Sequence, residues 1–158
     1  LSKTVAVILD DSHWLWAYDV SLAILAVEVL HVAEAADLES EPWWDDLRRD
    51  LSMAVIAQGS LGLEVPAGLT DRQREHLLEL LAVAAQRLRA RRHITAEEAA
   101  EHYVVDQQPV FLRGASSVDT APVADLAVAV INLIRGDLPP PPPGSTAWFY
   151  GDGPPRGL

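Results

Sequence analysis

Hydrophobic and polar residues are spread unevenly along the chain, and the sharpest feature is residues 20–33, VSLAILAVEVLHVA, where Ser21, Glu28 and His31 are the only polar side chains. At 100° per residue those three fall within roughly an 80° wedge, and apolar side chains cover the other directions. A helix that is apolar nearly all round is buried nearly all round, by its own domain or by a second subunit. The pattern predicts a central helix over residues 13–36, with Asp10, Asp11 and Ser12 as its N-cap chemistry and Trp14, Trp16 and Tyr18 in its first turns. Before it, VAVIL at residues 5–9 is a continuous apolar run whose length does not separate a short strand from another helical turn.

Ser40, Glu41 and Pro42 read as the start of a second helix, with Trp43, Leu47, Leu51, Ala54 and Val55 along one side and Gly59 closing it. A loop follows over residues 60–69. Thr70 and Gln73 form a capping box that opens a third helix over residues 71–92, with Leu77, Leu80, Leu81, Ala84 and Leu88 facing inward. A second box, Thr95 with Glu98, starts a short fourth helix reaching Tyr103. Residues 104–119 lack helical periodicity. Thr120 and Pro122 then open a fifth helix that Gly136 closes.

This fifth helix, PVADLAVAVINLI, is again apolar nearly all round, with Asp125 and Asn132 on one line. Two such helices are more than a thin layer can hide. Either they pack together in the middle of a bundle, or a neighbouring subunit covers one of them. The expected fold is therefore all-α: a bundle of about five helices over residues 1–137, built around two strongly apolar helices, with minor strands at residues 5–9, 61–65 and 110–113. Residues 138–158 read as a proline-rich tail. Its five consecutive prolines span about 15 Å in polyproline II geometry. Trp148, Phe149 and Tyr150 follow as an aromatic anchor.

Charge and cysteine content narrow the chemistry. The net charge of -11 repels phosphate backbones, so nucleic acid is excluded as a partner, whereas a basic protein partner suits it. The arginines at 87, 89, 91 and 92 precede a short helix that carries Glu97, Glu98 and Glu101 where a recognition helix needs donors. With no cysteine, disulfides, cysteine-ligated zinc and thiol catalysis are excluded, and a reducing cytoplasm is the expected setting. No apolar run reaches the length of a membrane span. The segment LSKTVAVILDDS is too short for a signal peptide, and whether a leader preceded Leu1 stays open.

Candidate chemistry centres on Glu28 and His31, an E-x-x-H pair of the kind that dinuclear carboxylate bundles present from one helix face. The chain holds no second copy of that pair. A mononuclear site would borrow Glu75 or His76 from the third helix, or Glu98 or His102 from the fourth. Phosphate loops, dinucleotide fingerprints and nucleophile elbows are missing, and no cofactor is expected. Trp14, Trp16, Trp43, Trp44, Trp148, Phe149 and Tyr150 are the candidate interface aromatics. The expectation is a non-catalytic interaction or regulatory module acting as a homodimer. The alternative is a small-ligand-binding or metal-dependent enzyme centred on Glu28 and His31.

Overall fold

The computed structural model describes residues 3–36, 41–141, 143–144 and 147–149. The first element is a hairpin. β1 (Thr4–Asp10) and β2 (His13–Tyr18) pair antiparallel, with Thr4 opposite Tyr18, Ala6 opposite Trp16 and Ile8 opposite Trp14. Its turn is closed locally, because Asp10 Oδ1 accepts the Ser12 backbone N–H at 2.8 Å and lies 2.8 Å from His13 Nδ1. α1 (Asp19–Ala35) follows without a break, then α2 (Pro42–Ile56), β3 (Leu63–Glu64), α3 (Asp71–Arg91), β4 (His93–Thr95) and α4 (Ala96–His102). The remaining elements are β5 (Val104–Val105), β6 (Gln108–Pro109), β7 (Ser117–Asp119), α5 (Ala121–Arg135) and β8 (Trp148–Phe149).

The expected all-α bundle is corrected by these strands: the fold is mixed. A four-stranded sheet in the order β3-β1-β2-β8 carries α1 and α5 on one face, while α2 and α3 pack on α1. β3 joins β1 parallel and β8 joins β2 antiparallel, and two small ladders, β4–β7 and β5–β6, complete the described strands. The error lies in residues 13–18, assigned to the first turns of the central helix. In HWLWAY the side chains alternate, Leu15 and Ala17 buried on the inner face, Trp14, Trp16 and Tyr18 half-buried on the outer. Because the outward positions are aromatic rather than polar, the period of two is masked and the run fits a helical template equally well. Asp10, Asp11 and Ser12 accordingly serve a hairpin and not a helix cap. Residues 110–113, expected as a minor strand, form a loop instead.

Inside, Val5, Val7, Leu15 and Ala17 share one core with α5 and with α1, whose residues from Asp19 to Val29 are all buried. The two strongly apolar helices pack on each other and on the sheet within one chain, so burying α1 requires no second subunit. Both capping boxes form as the spacing predicts, Thr70 with Gln73 and Thr95 with Glu98. Gly136 takes the left-handed C-cap of α5 at φ 78°. The described tail residues reach their own domain: Leu138, Ala147 and Trp148 are buried, and Tyr18 N–H donates to the Ala147 carbonyl at 3.0 Å. Among the described residues no helix is long and apolar enough to cross a membrane.

Candidate functional site

Glu28 sits mid-way along α1 with 1% of its surface exposed, and its two oxygens have separate donors. The Tyr103 hydroxyl, at the end of α4, donates to Oε1 at 2.5 Å, and Arg87 Nε, about one turn before the end of α3, donates to Oε2 at 2.8 Å. The polar wedge of α1 is therefore where α3 and α4 are stitched to the core. His31 lies one turn on, its ring 6.3 Å from that of Tyr103. The Arg91 guanidinium stacks 5.2 Å from the Tyr103 ring and donates to Glu98 at 2.9 Å. Of the sequence candidates, Glu28, His31 and Glu98 thus converge through Tyr103 and Arg91. His102 does not join them: it is exposed, 3.7 Å from Glu101. Glu75 is exposed on α3, and His76 packs its ring 6.2 Å from Trp43.

Among the described residues no group of three or more histidine and acidic side chains is placed to hold a metal ion. Both Glu28 oxygens accept from the protein itself, a guanidinium and a phenol, and this buried network ties α1 to α3 and to the end of α4. Burial first, and then the Glu28 carboxylate, push the Tyr103 phenol well above its ordinary value. An unfolded chain ionises this group near pH 10, whereas the folded chain keeps the proton. Its contribution to stability is therefore complete below about pH 10 and declines as pH rises through the raised folded value. Tyr103→Phe, which deprives Glu28 of a donor, should lose about 1–3 kcal/mol at neutral pH and flatten that alkaline decline. Chemical denaturation between neutral and alkaline pH measures both effects.

A second buried carboxylate, Asp19, opens α1 and is also 1% exposed. It gathers three other segments. The Lys3 backbone N–H donates to Oδ1 at 2.9 Å. Oδ2 accepts from the Gln58 amide at 3.2 Å and from Arg113 at 2.6 and 3.0 Å. Burial alone would raise the Asp19 pKa, but the Arg113 guanidinium, the Gln58 amide and the Lys3 N–H together hold it below the ordinary aspartate value.

The same two partners fix Phe111. Gln58 makes a closed pair with its backbone, accepting from the Phe111 N–H and donating to the Phe111 carbonyl, both at 2.9 Å. Arg113 stacks on its ring at 5.4 Å. The result is a phenylalanine 56% exposed yet held in place, beside Ile56 at 41%. It stands at the lip of an open groove of about 750 Å³ that also runs along Val55, Ala99, Ala100 and Pro109, and none of the described residues lining this groove carries a charge.

The candidate interface aromatics divide into two sets. Trp43, Trp44 and Trp148 are buried core residues. Trp14, Trp16 and Phe149 lie half-buried on the outer face of the sheet, and Tyr150 falls outside the described residues. Sequence reasoning missed Arg87, Tyr103, Asp19, Gln58, Arg113 and Phe111. A signal existed only for Tyr103, an amphipathic side chain ending a helix one residue past a polar neighbour. No protein-family model, curated protein or solved structure matches the chain.

Proposed function

We propose that this protein is a non-catalytic interaction module that self-associates as a homodimer through the Phe111 groove. The observation that carries the reading is the fixed, exposed Phe111 ring at the lip of an uncharged apolar groove. Large exposed aromatics in apolar surroundings are typical anchors of protein interfaces. A projecting ring beside a receiving groove is also self-complementary, as an interface between two identical copies must be. Charge supports the choice of surface. Two chains of net charge -11 repel each other, so their contact is favoured where neither presents a carboxylate. A cytoplasmic setting belongs to the same proposal, in keeping with the cysteine-free sequence.

The reading as an enzyme centred on Glu28 and His31 has no comparable support, because both Glu28 oxygens are occupied by donors from the protein itself. Hydrogen exchange tests the proposed surface. Raising the protein concentration should slow exchange in the groove wall at residues 108–116 and leave the amides of β1 and β2 unchanged. Concentration-dependent protection only on surfaces away from the groove, or none anywhere, would remove the proposal.

A further inference from the structure

The sheet has a second face, which among the described residues is bordered by α2 only at its β3 side, where Arg49, Asp50 and Met53 lie near Ala6 and Ile8. α1 and α5 take the inner side of β1 and β2, where Val5, Val7, Leu15 and Ala17 are buried. On the outer side the register sets Ile8 beside Trp14, Ala6 beside Trp16 and Trp16 beside Phe149, with Tyr18 packing its ring 5.6 Å from Phe149. All of these stay half-exposed. An outward strand face normally alternates to polar residues, so a face of aromatic and aliphatic side chains is, among the described residues, a surface short of a partner.

What lies at its edge decides the occupant. Ile8 pairs with Glu64 across the parallel β1–β3 ladder, and both line a groove of about 630 Å³ between the hairpin turn and α2. Among the described residues, Asp10, Asp11, Asp46, Asp50 and Glu64 line that groove against one base, Arg49, whose Nη2 is already 3.1 Å from Asp46. The aromatic face therefore runs directly into a strongly negative trough. Nucleic acid is repelled by it, and a second copy of the chain would bring an identical trough against this one. A segment carrying arginine or lysine among apolar residues matches both parts. Its cations would neutralise the trough and stack on the indole faces, and its apolar side chains would cover Ile8 and the tryptophans.

We infer that the outer sheet face and its acidic trough form a docking surface for a basic, partly apolar segment of another protein, separate from the Phe111 groove. The probe is a dye-labelled peptide alternating arginine with valine, followed by fluorescence anisotropy with the full chain. Saturable binding is expected, weakening about tenfold or more between about 0.02 M and about 0.3 M salt, because exposed charges are screened. The variant carrying Asp11→Asn, Asp50→Asn and Glu64→Gln should weaken binding about tenfold and lose most of the salt dependence. Trp14→Ser with Trp16→Ser should weaken it to a similar degree. If the tryptophan variant fails to fold, the carboxylate variant, which changes only exposed or half-buried polar groups, still decides the question. The inference is overturned if the glutamate–valine counterpart binds equally, if the carboxylate variant binds like the parent, or if the tryptophan changes alter the sedimenting mass and leave peptide binding intact, which would make the occupant a second copy.

Discussion

Asp19→Ala is expected to lower the unfolding free energy by about 3–5 kcal/mol, the range for deleting one partner of a buried ion pair. The deletion leaves a guanidinium, a side-chain amide and a backbone N–H without their acceptor. Arg113, with 18% of its side chain exposed, can recover only part of its hydration. The damage should also spread, because the same carboxylate holds the start of α1 to the segment leading into β1 and, through Gln58 and Arg113, to the Phe111 loop. A loss of that size is a large share of a typical domain stability of about 5–15 kcal/mol. Urea titration with an unchanged slope reads it directly. The sign with pH follows from the depressed folded pKa: Asp19 contributes fully above the ordinary aspartate range near pH 4, and the contribution disappears as pH falls through the lower folded value. Asp19→Asn, nearly equal in shape, should therefore be less stable at neutral pH and lose less on acidification.

Gly62→Ala should be nearly as damaging, at about 3 kcal/mol. A Cβ on Gly62 would lie 2.0 Å from the Ala6 carbonyl oxygen and 3.0 Å from the Ala6 nitrogen and carbonyl carbon. These are backbone atoms of a strand hydrogen-bonded on both sides, by β2 and by β3, so the clash cannot be relieved by turning a side chain. The expected consequence is release of β3 together with buried Leu63 and Val65. Gly68→Ala is the control. Nothing lies within 4 Å of a Cβ there, and the change meets only the penalty of a φ of +73°, about 1–2 kcal/mol. Thermal melts of the two variants should differ clearly, with Gly62→Ala the lower.

The parts of the fold legible in the sequence are those specified by neighbours. Thr70 with Gln73, Thr95 with Glu98, and Gly136 mark helix ends through contacts three or four residues long, and all three behave as their chemistry demands. The hairpin was not legible because its outer positions are aromatic, and this is the same property that makes the face a docking candidate. Placing Trp14 and Trp16 in the central helix also hid the helix start, because Asp19 is the first residue of α1. For Glu28 the sequence located the polar wedge but not its purpose. Its partners lie 59 and 75 positions away, and only the packing of α3 and α4 against α1 brings them there. Phe111 is similar: in the run Val110, Phe111, Leu112, the outward residue is selected by Gln58, 53 positions earlier.

Sedimentation equilibrium of the parent chain and of Phe111→Glu most directly tests whether the protein acts as a homodimer through the Phe111 groove. The parent should sediment as a dimer with a concentration-dependent approach to the 17.2 kDa monomer. Phe111→Glu adds a charge to an uncharged surface and removes its anchor, and it should weaken association by a factor of about 30 or more while the far-ultraviolet spectrum stays unchanged. A parent chain that remains monomeric at about 0.1 mM, well above the micromolar range expected of a modest interface, or a Phe111→Glu variant that dimerises as tightly as the parent, would contradict the account.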